Sequence, residues 1–193
     1  MSKVAIQGNA SGTGTFTIAA PNSNTDRTLT LPDEAGTVLT SASTVVYPKG
    51  VPAFSAYQSS AQSLSSGVFT NIQCQTEHFD TNGCFNNTGS TVTLNGISTP
   101  AYAFAPNVAG YYQFNFHLNC TLGTSQELIT SIYKNGSSVS YVSDVIGGLT
   151  RSSNGSYLIY CNGTSDYIQM YGYINTNTTT SLAFFQGFMV RAA

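Results

Sequence analysis

Tyr111-Tyr112-Gln113-Phe114-Asn115-Phe116-His117-Leu118-Asn119-Cys120-Thr121-Leu122 alternates with a period of two over its whole length. Successive side chains of a strand point to opposite sides, so Tyr112, Phe114, Phe116, Leu118 and Cys120 share one face. Tyr111, Gln113, Asn115, His117 and Asn119 share the other. The first set has to face a core. The second is polar with one aromatic, which suits a surface between subunits or solvent, and Tyr111, Gln113, Asn115 and His117 are the candidate interface residues.

Outward from this strand the pattern repeats. Phe69–Phe79, Leu128–Lys134, Tyr157–Cys161, Tyr167–Ile174 and Leu182–Val190 read as further strands. Asn-Gly pairs at 82-83, 95-96, 135-136, 154-155 and 162-163 are strong hairpin signals, because both residue types accept the positive φ of a type I′ turn. Short strands, frequent turn signals and no helical period predict an all-β sandwich or jelly roll. The twelve tyrosines and eleven phenylalanines, against few Glu and Lys, agree.

The chain divides near residue 50, and the predicted parts are an arm over 1–45, a linker over 46–52 and a head over 53–193. Alternating strands are expected in the arm at Gly12–Ala20, Arg27–Leu31 and Gly36–Thr40. Its large apolar residues include Phe16, Ile18, Leu29, Leu31, Val38 and Leu39, too few to close a core, so these six are expected to attach it to other chains. Pro48 and Pro52 stiffen the linker.

Composition excludes several functions. Charged residues make up 7% of the 193 residues and the formal net charge is -2. The six basic residues (Lys3, Arg27, Lys49, Lys134, Arg151 and Arg191) are scattered singly, whereas a nucleic-acid binder clusters them to neutralise phosphates. No stretch approaches the ~20 apolar residues of a membrane span. The first residues lack the apolar run of a signal peptide, so synthesis in a cytoplasm is expected. On that basis the Asn-x-Ser/Thr sequons read as turn residues rather than glycan acceptors. Cys74, Cys84, Cys120 and Cys161 are widely spaced without a CxxC, and read as reduced buried residues in preference to a disulfide framework.

A search for catalytic chemistry yields little. His78 and Asp80 could form a base-orienting pair, but no Gly-x-Ser-x-Gly accompanies them. Asp33 and Glu34 are adjacent and point apart if extended, which is wrong for a glycosidase pair. Asp80 or Asp144 could contribute to a calcium site, yet there is no Asp-x-Asp loop. Gly12-Thr13-Gly14 lacks the Lys-Ser/Thr of a phosphate loop. The expectation is a non-enzyme with no metal and no cofactor.

Phe104-Ala105-Pro106-Asn107-Val108-Ala109-Gly110-Tyr111-Tyr112-Gln113-Phe114-Asn115-Phe116 resembles the aromatic signature of the C1q/TNF-like superfamily: Phe, five residues, then Gly-x-Tyr-x-Phe-x-aromatic. Phe104, Gly110, Tyr112, Phe114 and Phe116 are its core positions. Pro52–Tyr57, His78–Gly83, Ser131–Gly136, Asp166–Met170 and Phe185–Val190 resemble other family segments in the same order. The resemblance covers residues 52–193 and implies a two-sheet jelly roll assembled as a homotrimer. One segment departs from it: Cys84–Tyr102 lengthens the approach to Phe104, which an extra exposed hairpin would accommodate. In the arm, Arg27–Leu39 resembles a phrase of phage tail-fibre and virion proteins.

Together these imply a virion-surface structural protein, a capsid decoration or cement protein or a head fibre. A receptor-binding tail-fibre tip is the alternative and a hydrolytic tail spike the third. Expected partners are the chain itself, phage capsid or tail proteins through the arm, and on the second reading a host surface glycan or protein.

Overall fold

The computed structural model describes residues 51–121, 126–144 and 150–193, together with positions 11–15, 17, 19, 22–26 and 28. The chain separates into two units, Met1–Ser43 and Thr44–Ala193. All six predicted attachment residues, Phe16, Ile18, Leu29, Leu31, Val38 and Leu39, lie outside the described residues. Around the first predicted arm strand, positions 11–15, 17 and 19 are exposed and belong to no strand.

The second unit is built of strands, with no helix among its described residues. In chain order these are β1 (Ala53–Tyr57), β2 (Ser63–Leu64), β3 (Thr70–Asn71), β4 (Thr76–Asp80), β5 (Val92–Leu94), β6 (Ile97–Thr99), β7 (Ala103–Phe104), β8 (Gly110–Thr121), β9 (Leu128–Lys134), β10 (Ser137–Asp144), β11 (Thr150–Cys161), β12 (Ile168–Ile174) and β13 (Thr178–Ala192). One sheet runs β11-β8-β13-β1-β4, with β2 paired to the start of β13. A second runs β10-β9-β12-β3, with β7 also on β12.

The core fills the space between the two sheets. Tyr112, Phe114, Leu118 and Cys120 are fully buried and Phe116 nearly so, as the alternation of β8 predicts. Phe54 stacks on Phe104 with ring centroids 4.5 Å apart and on Phe85 at 4.7 Å, and meets Phe185 edge-on at 4.9 Å. Phe114 stacks on Phe185 at 5.9 Å, and Tyr112 donates its hydroxyl to Val108 O at 2.7 Å. Aromatic pairs at such separations add to what area burial alone contributes.

The Asn-Gly signals divide by backbone conformation. Asn95-Gly96 and Asn135-Gly136 both have positive φ, closing the β5–β6 and β9–β10 hairpins as predicted. At 82-83 and 162-163 only the glycine is left-handed. Asn154-Gly155 is no turn: it lies inside β11, which begins at Thr150 rather than Tyr157. A Cβ at Gly155 would sit 2.1 Å from the Phe116 ring, so the glycine provides room for a core aromatic. Asn119 and Asn154 are likewise strand residues, which corrects the turn reading of their sequons. The predicted strand Phe69–Phe79 is two, β3 and β4, in different sheets.

The insertion before Phe104 does form the extra hairpin, β5–β6, paired only with itself. Asn86 anchors it: its buried amide donates to Ser90 O, Thr99 O and Pro100 O at 2.8, 3.0 and 2.8 Å, and its Oδ1 accepts from Thr88 N at 2.9 Å.

At the β9–β12 junction Asp166 is buried and paired with Lys134 at 2.8 Å. It also accepts from the Asn135 amide at 2.7 Å and Asn162 N at 2.9 Å. Burial alone would raise its pKa, but these donors outweigh it and hold the carboxyl below its ordinary value.

Two predictions follow from this packing. Phe114→Ala is expected to cost about 3–5 kcal/mol, the range for large aromatic truncations in cores, measured by denaturant unfolding. A carboxyl depressed in the folded state gives stability that is complete above its unfolded pKa and lost as pH falls through the folded one. Acid unfolding below about pH 4 should therefore be partly abolished in Asp166→Asn, which should also be less stable at neutral pH.

Candidate functional site

The residues of β8 that turn away from the core form the middle of a broad outer face. Register places Tyr160 and Arg191 on either side of Tyr111, Leu158 and Phe188 beside Gln113, and Ser156 and Gln186 beside Asn115. Asn154 and Phe184 flank His117, and Ser152 and Leu182 flank Asn119. All four predicted interface residues, Tyr111, Gln113, Asn115 and His117, thus stand in one row.

The end of the face around Tyr111 and Gln113 is apolar, and from Asn115 to Asn119 it is mostly polar, with Phe184 and Leu182 set among the polar groups. Tyr111 is 45% exposed, Leu158 52%, Phe188 46% and Val190 56%, and Tyr160 and Leu182 are also exposed. Tyr111 and Tyr160 hold ring centroids 5.5 Å apart. The middle is tied across the strands by neutral groups: Gln113 Nε2 donates to Ser156 Oγ at 2.7 Å, Ser156 Oγ to Asn115 Oδ1 at 2.9 Å, and Asn119 Nδ2 to Ser152 Oγ at 2.9 Å. His117 Nδ1 is hydrogen-bonded to Asn154 Oδ1. A cavity of about 400 Å³ opens here, lined by Asn115, His117, Asn154, Phe184 and Gln186 and reaching Phe116 and Gly155.

Charge is confined to the margins. Arg191 stands at one end. On β4, at the sheet edge, are Glu77, His78 and Asp80. Burial first, and then the Asp80 carboxylate, raise the Glu77 pKa. The strand pairing of β1 with β4 carries a bulge that skips His78, so the expected His78–Asp80 alternation breaks there. His78 instead stacks on Tyr57 at 4.6 Å, while Asp80 accepts from Phe85 N at 2.7 Å. That geometry makes Asp80 a loop anchor, with no base to orient.

The four cysteines are free and buried. Burial pushes the thiols of Cys74, Cys120 and Cys161 up to about 12 and that of Cys84 to about 11, so all stay protonated and unreactive. Among the described residues no group of three or more His, Cys, Asp and Glu is placed to hold a metal ion.

The sequence reading missed the flanking contributors. Leu182, Phe184, Gln186 and Phe188 alternate in β13 just as the β8 residues do, and the same parity would have found them. Leu158 and Tyr160 lie in the predicted strand Tyr157–Cys161, but Ser152, Asn154 and Ser156 are hidden because Asn154-Gly155 reads as a turn.

No family model matches the chain, and no curated protein matches it. Solved structures do. The globular domain of zebrafish complement 1qA protein is similar with a TM-score of 0.55 and 18% identity, covering 74% of this chain and 99% of that one. Eiger TNF from S. frugiperda has a TM-score of 0.52 and 7% identity, over 74% of this chain and 93% of that one. The PRD1 vertex protein P5 has a TM-score of 0.46 and 16% identity, over 72% and 97%. The two packed antiparallel sheets and the likeness to the first two structures show that residues 51–193 adopt a jelly-roll fold like that of C1q and TNF domains, with Phe104, Tyr112, Phe114 and Phe116 buried in its core.

Proposed function

We propose that the chain is a non-enzymatic structural protein of a bacteriophage virion, a homotrimeric surface appendage anchored by its N-terminal arm as a capsid decoration, cement protein or head fibre. The observation that carries this reading is the outer face of the six-stranded sheet. Tyr111, Leu158, Tyr160 and Phe188, neighbours in register at one end of that face, would be left in water on an isolated domain, and contiguous exposed apolar surface marks an interaction site. The polar groups between them are uncharged, so identical faces can approach without like-charge repulsion. A closed ring of three copies covers such a face on every subunit. The phage assignment rests on the Arg27–Leu39 phrase of the arm, and the arm's role on its shortage of apolar residues.

A specific feature favours the alternative, a receptor-binding tail-fibre tip. On the five-stranded sheet Tyr133 and Tyr171 stack at 4.0 Å and Phe69 lies 5.0 Å from Tyr173, with Tyr141 68% exposed nearby. Rigid aromatics beside hydroxyls and amides suit contact with a host glycan or protein. Among the described residues no carboxylate pair supports a hydrolytic spike.

Purified protein is expected to sediment as a stable trimer at neutral pH; a concentration-independent monomer would overturn the assembly. An interface of that kind buries on the order of 1,200 Å² or more. Deleting residues 1–45 should leave a folded trimeric head that no longer joins the particle, assayed by its incorporation into virions lacking the full-length chain. Incorporation of the truncated chain would move attachment to the head, and misfolding would make the arm part of the domain.

A further inference from the structure

We infer that the outward face of the five-stranded sheet binds a neutral oligosaccharide, an inference that rests on the receptor-binding reading above and names its ligand class. Tyr133 of β9, Tyr171 and Tyr173 of β12 and Tyr141 of β10 fall by strand parity on the side away from the core. Phe69, just before β3, joins them, its ring 5.0 Å from that of Tyr173 and 6.1 Å from that of Tyr133. Tyr133 and Tyr171 stack at 4.0 Å. Tyr141 is in register with Ser131, and Ser131 with Tyr171. The two tyrosines therefore stand two strand spacings apart at the backbone, about 9.5 Å. Ser131, short and buried between them, floors a shallow slot.

The rows that carry these rings are fixed in place. Ser131 Oγ donates to Ser140 O at 2.7 Å and accepts from Ser138 Oγ at 2.9 Å. Asn71, in register with Tyr171, donates to Ala101 O at 2.7 Å. Gln169, in register with Tyr133, donates to the same oxygen at 2.8 Å. Groups ordered in advance lose little freedom when a ligand arrives.

The chemistry of the face selects the ligand. Among the described side chains of β3, β9, β10 and β12, none on the outward side is charged. Lys134, at the end of β9, is paired with Asp166, and Glu127 lies beyond the start of that strand. A phosphate, sulfate or carboxylate ligand thus meets no counter-charge. A purely apolar ligand would cover the tyrosine hydroxyls without pairing them. A neutral saccharide answers both features: its C–H faces pack on the electron-rich ring faces, and its hydroxyls pair with phenols that donate and accept. Size points the same way. Tyr141 is 68% exposed, Phe69 40%, and the other three tyrosines are half-buried. At ~200 Å² for each aromatic residue, the rings offer about 300–400 Å². A stable protein interface takes roughly 800 Å² from each partner. The face also belongs to the other sheet from the proposed assembly surface, so the two draw on different residues.

Binding of the full chain to immobilised neutral hexose and N-acetylhexosamine oligosaccharides, with sialylated and sulfated ones as charged controls, tests this. A neutral oligosaccharide should bind with an affinity unchanged between about 0.05 and 0.5 M salt, over which an ion-driven contact weakens. Tyr141→Ala, at an exposed position, should weaken binding about tenfold or more with unchanged circular dichroism. Tyr171→Ala should weaken it too, while Phe79→Ala, an exposed ring of the other sheet, should leave it as it was. Binding that survives both tyrosine substitutions would overturn the site. Binding to the charged controls alone, or to nothing on the panel, would overturn the ligand class. Adhesion to host cells that persists after periodate has destroyed their sugars would overturn the saccharide and keep the receptor-binding reading. Adhesion to no host cell would remove that reading as well.

Discussion

β8 is hydrogen-bonded along nearly its whole length on both sides, to β11 and to β13, and the rest of the domain follows from that confinement. A strand held between two neighbours cannot slip by one residue without reversing every side chain. Tyr112, Phe114, Phe116, Leu118 and Cys120 fix which side is inside, and the partners inherit the choice. Gly155 and Gly187 then take positions opposite Phe116 and Phe114, where a methyl group would collide with the rings. The core packing and the outer face are consequently two outcomes of one register.

That coupling explains the chemistry of the outer face. A strand dedicated to the core on one side still presents five residues on the other. In an ordinary soluble domain these would be Lys, Glu and Arg. Here they are Tyr, Gln, Asn, His and Asn, the last four hydrogen-bonded to serines and an asparagine of the adjoining strands. Neutral amides and hydroxyls pair in many geometries and lose less than charges do when water is excluded. With 7% charged residues, the chain fills much of its surface with such neutral groups.

Much of this was legible in the amino-acid order, and the failures are informative. The period of two in β8 gave both faces correctly, and β9 was predicted with its observed bounds, because strong alternation has one structural meaning. Asn-Gly does not. At 95-96 and 135-136 the pair turns the chain; at 154-155 it sits in a strand because Phe116 needs the missing Cβ, a long-range cause invisible locally. Asn86 shows the same limit. As part of an Asn-x-Thr sequon it reads as a turn residue, yet its amide holds three carbonyls of a hairpin reaching to Pro100.

The pairing of β1 has a mechanical consequence. The segment that precedes the domain joins it at Ala53, the first residue of a strand bonded to β13 on one side and to β4 on the other. Tension arriving along the chain meets two hydrogen-bond ladders side by side before it reaches any core residue. Several bonds must yield together for β1 to leave, rather than one after another as at a free edge. Phe54, wedged among Phe85, Phe104 and Phe185, adds a steric stop one residue further in. The segment that precedes the domain thus enters it through a strand paired on both sides and not through a free edge.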